Sequence, residues 1–194
     1  LPAEYDTLVV VNPRSLNERQ RWEINRALHS GKSVVMAVQQ YEWDYQATRD
    51  GNRISRREEN PEVNALLEKY GLKVSEEILM DENNVTLNVQ SQAGGLFGAL
   101  MGQPFKLPTH ILVNNTSMNQ DISITSRLAA ILYLWGTALE LNDAKLNEYG
   151  LKADTLMRTS DAAWSIAKDA TLTQSSFEPP ATGKAFPLMV WVRG

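Results

Sequence analysis

The 194-residue chain contains no cysteine. That absence removes thiol nucleophiles, disulfides and thiolate metal sites together. It leaves the compartment open, because a cysteine-free domain is at home inside or outside the cytoplasm. Histidine is scarce as well: His29 and His110 are the only two, and their separation makes no metal-pair spacing. No uninterrupted apolar run approaches the ~20 residues of a membrane span, and the start of the chain lacks the charged-then-apolar order of a signal peptide. Charge of one sign does not accumulate either. Nineteen basic and 23 acidic residues give a net charge of -4 with no long like-charged run, which argues against the basic face that nucleic acid requires. The G-x-S-x-G elbow that presents a nucleophilic serine is missing too. An enzyme is therefore not expected, nor is a cofactor or a metal; the alternative, a hydrolase, would need His29 or His110 within hydrogen-bond reach of a serine and an acid.

What is present suits one globular domain. A chain of this length with 43% hydrophobic and 22% charged residues can bury one good core and is short for two, so residues 1–194 are expected to form a single α/β domain. The chain begins at Leu1 and closes on the apolar run Leu188–Val192 before Arg193 and Gly194. Both ends read as cut, which suggests an excerpt of a longer protein.

Thr7 to Val11 (TLVVV), closed by Asn12-Pro13, reads as a buried strand of the parallel-sheet kind. Ser15 or Asn17 can cap a helix with Trp22, Ile24, Ala27 and Leu28 on its apolar stripe, ended by Gly31. Ser33 to Val38 then reads as a second buried strand, completing a βαβ unit. Residues 41–59 are polar, carry no apolar period and read as an exposed excursion. Asn60-Pro61 opens a helix with the stripe Val63, Leu66, Leu67 and Tyr70 before Gly71. Ile78 to Met80, Val85 to Val89 and Thr109 to Asn114 are candidate strands. The run from Leu128 to Leu141 fits a helix or a strand pair. Farther on, Thr155 to Thr159 reads as a strand, Ser160 or Asp161 as the cap of a helix through Trp164 and Ile166, and Phe186 to Val192 as a closing strand.

Several local patterns mimic chemistry. Gly31-Lys32-Ser33 suggests a phosphate loop, but Arg26 stands where that motif needs its first glycine, and the order here is helix to strand. Asp81-Glu82-Asn83-Asn84 begins like a calcium loop, yet Thr86 and Gln92 replace the required glycine and glutamate. A second excursion, residues 91–106, holds Gly94, Gly95, Gly98 and Gly102 among Leu96, Phe97, Leu100 and Met101. Such an apolar, glycine-rich segment is expected to be a partner-contact patch. Thr159 and Ser160, at a strand end, could offer hydroxyls and amides to an anion. The alternative function, a small-molecule or carbohydrate-binding module, would gather Asn12, Gln39, Gln40, Asn114 and Thr159 at the carboxyl ends of parallel strands.

The order of motifs resembles the auxiliary domain of ABC-type transport systems linked to gliding motility. The likeness rests on Leu1 through Pro13 followed by a helix and Gly31-Lys32-Ser33-Val34-Val35-Met36, on Asn60-Pro61 through Tyr70-Gly71-Leu72, and on Leu156-Met157-Arg158-Thr159-Ser160 with the later Trp164. It implies a flavodoxin-like, doubly wound, mainly parallel fold outside the cytoplasm, on the periplasmic face of the inner membrane. It further implies tethering by membrane helices beyond this chain, and partnership with permease and ATPase subunits. On this reading the domain is a non-catalytic accessory acting by protein or ligand contact.

Overall fold

The computed structural model describes residues 1, 4–48, 51–58, 62–87, 105–170 and 174–194. The partner-contact residues Leu96, Phe97, Leu100 and Met101 lie outside the described residues. Two compact units divide the chain: Leu1–Glu76 with Leu139–Ala153 and Val192–Gly194, and Glu77–Ala138 with Asp154–Trp191.

The first unit opens with the expected βαβ. Strand β1 (Thr7–Val11) and strand β2 (Ser33–Ala37) pair in parallel, Thr7 opposite Ser33 and Val11 opposite Ala37. Between them runs α1 (Glu18–His29), and its start is set by Asn17. The Asn17 carboxamide accepts from the Gln20 amide at 2.9 Å while Gln20 Oε1 accepts from the Asn17 amide at 3.0 Å, a reciprocal cap that satisfies two otherwise orphan donors. At the other end Gly31 takes φ 74°, where a side chain is disfavoured, and donates to Leu28. The two strands alternate instead of being buried throughout: Leu8, Val10, Val34 and Met36 pack inward, whereas Val9 and Val11 stay 59% and 69% exposed. The core of this unit gathers Leu16, Ile24, Val63, Leu66 and Val74.

Two strands follow, β3 (Tyr41–Thr48) and β4 (Gly51–Glu58), paired antiparallel. The expectation of no apolar period there is wrong, because a period of two is present: Tyr41, Trp43, Tyr45 and Ala47 alternate with Glu42, Asp44, Gln46 and Thr48. After it come α2 (Asn64–Leu67), a 3-10 turn (Glu68–Tyr70), and Gly71 at φ 74°. Val63 and Leu66 of the expected stripe are buried.

Strand β5 (Leu72–Asp81) leads from the first unit into the second. There β6 (Asn84–Leu87), β7 (Phe105–Val113) and β8 (Ile131–Leu134) form an antiparallel sheet in that order. The run from Leu128 resolves as a strand pair, β8 and β9 (Thr137–Leu141), turned at Trp135-Gly136. A short helix α3 (Asp143–Glu148) and β10 (Lys152–Arg158) follow. The helix expected from Ser160 through Ile166 is instead a strand, β11 (Ala163–Ile166), paired antiparallel with β5, Trp164 opposite Met80. Local capping chemistry there yields to a buried strand partner. Strand β12 (Pro187–Arg193) lies beside β10. The core of the second unit gathers Leu79, Ile111, Val113, Leu156 and Ala163.

The flavodoxin-like, doubly wound expectation is therefore wrong. The molecule is mostly β, in several small sheets that are largely antiparallel. A parallel neighbour needs a crossover, usually a helix long enough to pack on the sheet. Among the described residues only the 12-residue α1 supplies one, since α2 has four residues and α3 six. The βαβ unit is real, but nothing among the described residues propagates it.

Candidate functional site

In the first unit the outer face of α1 concentrates unusual chemistry. Ile24 and Ala27 point into the core, and Trp22, about 200° around the helix from Ile24 at 3.6 residues per turn, is 54% exposed. Its neighbours on that face are Arg19 and Arg26, whose guanidinium carbons lie 5.4 and 5.5 Å from the indole centre, over the ring. Glu23 holds both in place. Its Oε1 accepts from Arg19 at 3.0 Å and its Oε2 from Arg26 at 2.7 Å, so each carboxylate oxygen anchors one arginine. The Arg26 hydrogen bonds hold the Glu23 carboxyl below the usual carboxylate range, and Glu23 in turn raises Arg26.

A groove of about 350 Å³ opens beside this cluster, lined by Glu18, Arg21, Trp22 and Asn25 of α1 and by Ala65, Leu66 and Lys69. Arg21 crosses its rim, donating to the Leu16 carbonyl at 2.6 Å and to Glu62 at 2.9 Å. The Tyr70 hydroxyl donates to Asn25 Oδ1, and desolvation raises its phenol above the ordinary value. The groove thus has an apolar floor, an aromatic wall and a cationic rim in which Arg21 is already held in place.

The sequence-derived ligand residues fall in both units. Asn12, Gln39 and Gln40 follow β1 and β2 in the first unit. Asn12 sits at φ 43° with its amide bonded to Ala37, and Gln39 donates to the Tyr41 carbonyl. Asn114, Thr159 and Ser160 belong to the second unit, where their polar groups have internal partners. Asn114 caps a 3-10 turn through Thr116. Thr159, 1% exposed, accepts from the Phe186 amide. Ser160 donates its amide and hydroxyl to Asp81, at 2.7 and 2.5 Å, and Asp81 also accepts from the Asn83 amide. Because the described strands form several small, largely antiparallel sheets, the carboxyl-end crevice loses the doubly wound sheet that suggested it.

Among the described residues no three His, Asp or Glu side chains group to hold a metal ion, and no helix is long and apolar enough to cross a membrane. His29 Nδ1 faces the Asn25 carbonyl at 2.9 Å. His110 Nδ1 lies 3.4 Å from the Thr109 hydroxyl, its ring edge-on to Trp135 and its pKa lowered by desolvation.

The α1 groove was not legible as a site because Trp22 was counted with the apolar stripe. A helical wheel alone separates it from Ile24, and the arginines three residues before and four after it mark the opposite face. Lys69 carried no signal, since only tertiary packing brings it beside α1.

A family model described as an ABC-type uncharacterized transport system matches residues 1–194. Neither a curated protein nor a solved structure matches the chain.

Proposed function

Because the chain belongs to the family of ABC-type uncharacterized transport systems over residues 1–194, we propose that it is a non-catalytic accessory domain of an ABC-type transport or gliding-associated complex. It works outside the cytoplasm and acts by contact with the permease and ATPase assembly. The observation that carries this reading is the exposed Trp22 braced by Arg19, Arg26 and Glu23 beside the α1 groove. Tryptophan and arginine are the residue types that dominate binding energy at protein interfaces. Side chains already ordered in the free protein lower the entropic cost of association, about 0.5–1.5 kcal/mol for each long side chain otherwise immobilised. A solvent-facing helix with no recognition role has no need of an exposed indole with two paired arginines over its ring.

The test is affinity purification of the full-length protein from membranes in mild detergent, with the co-purifying proteins identified by mass spectrometry. A permease and an ATPase are expected in the eluate, and their recovery should fall in the Trp22→Ala and Arg19→Ala/Arg26→Ala variants. An eluate with neither subunit sinks the reading. Protease accessibility in spheroplasts tests the location: digestion of this domain without lysis is expected, and protection overturns an extracytoplasmic placement.

A further inference from the structure

Deepening that reading, on which it rests, we propose that the α1 groove receives an extended acidic segment of a partner polypeptide, with carboxylates at its rim and an apolar side chain on its floor. Donors outnumber acceptors at this site. Glu23 engages Nε and Nη2 of Arg19 and of Arg26, and Arg21 makes its contacts through Nη1, so the remaining guanidinium nitrogens have no partner among the described residues. The ammonium of Lys69, on the opposite wall, has none either. On the acceptor side Glu23 and Glu62 are both committed to arginines, which leaves Glu18. A cluster rich in free cationic donors, in a chain of net charge -4, selects ligands that bring acceptors of negative charge.

The same chemistry favours a charged ligand over a neutral sugar ring. Two of the chain's own guanidiniums lie over the Trp22 indole, and a neutral pyranose brings no negative charge to the free donors. Trp22 lines the groove together with the buried Leu66 and with Ala65. An extended peptide meets both demands, because alternate side chains point to opposite sides and can send a carboxylate to the rim and a leucine-like group to the floor.

The experiment is fluorescence anisotropy of the full chain with a fluorescein-labelled octapeptide of alternating Glu and Leu, its Lys and Leu counterpart, and oligogalacturonate as an unlabelled competitor. The acidic peptide is expected to bind, and the basic one is not. Lys69→Glu, an exposed change, should weaken binding at least tenfold with an unaltered circular dichroism spectrum and melting point, as should the Arg19→Ala/Arg26→Ala pair. Absence of binding, equal binding of the two peptides, indifference to Lys69→Glu, or displacement by oligogalacturonate each overturns the proposal. Peptide failure with permease and ATPase still co-purifying removes the acidic segment and leaves the accessory role. Loss of co-purification removes that role itself.

Discussion

Glu23 in the first unit and Asp81 in the second do the same thing with opposite consequences. Each is a carboxylate that accepts several hydrogen bonds from defined donors. Glu23 sits on a helix surface, where water would serve its arginines almost as well. Asp81 is 0% exposed, and there the amides of Asn83 and Ser160 and the Ser160 hydroxyl have no substitute. Hydrogen bonds therefore contribute to stability where they are dry, because a buried donor left unmatched costs about 1–3 kcal/mol. Where they are wet they contribute order. The second unit uses its polar cluster to lock the β10–β11 junction onto β5. The first unit uses its cluster to hold an exposed surface in one shape.

The largest effect that would break this contrast is Asp81→Ala. It should lower the unfolding free energy by about 3–5 kcal/mol in urea titration, since two amides and a hydroxyl lose their acceptor; a loss under ~1 kcal/mol would mean the cluster is not a lock. Next in size is a pH effect in the same unit. Burial pushes the Tyr133 phenol up to about 12, its hydroxyl donating to the Thr137 carbonyl. With a folded pKa above the unfolded value near 10, the native state retains a proton that the unfolded chain has released. Stability is then full below about pH 10 and falls as pH rises toward 12, by up to about 3 kcal/mol. Tyr133→Phe should remove that slope. In the first unit Asn17→Ala should cost only about 1 kcal/mol, the ordinary loss of a helix cap, read as a small shift in the urea midpoint. Smallest of all is Glu23→Gln. The melting point should not move, while anisotropy of Trp22 fluorescence, isolated by replacing the other tryptophans with phenylalanine, should drop as the arginines are released. A melting point that fell as far as that of Asp81→Ala would erase the difference between the units.

The parts legible in the chain were those governed by neighbours in sequence. Thr7–Val11, the capped helix and Ser33–Ala37 appear where the pattern put them. So does the family membership, because motif order spans the whole chain. Ser160 shows why the rest was hidden. Its hydroxyl and position fit an N-cap or an anion site equally well, yet its partner is Asp81, 79 residues earlier. The strand pair Tyr41–Thr48 and Gly51–Glu58 hides for a simpler reason: its apolar period of two is carried by Tyr41, Trp43, Tyr45 and Ala47 inside a segment whose overall composition is polar.

By itself the sequence determined the exclusions and the local elements: no thiol chemistry, no membrane span among its apolar runs, and a βαβ opening with its capped helix. Those depend on residue identity and on interactions within one turn or one pleat. The tertiary structure alone decided that the sheets run largely antiparallel, that Asp81 holds Ser160, and that Lys69 and Trp22 line one groove. Such pairings are chosen by burial among distant segments, where the free energy of excluding water from a matched set outweighs any local preference.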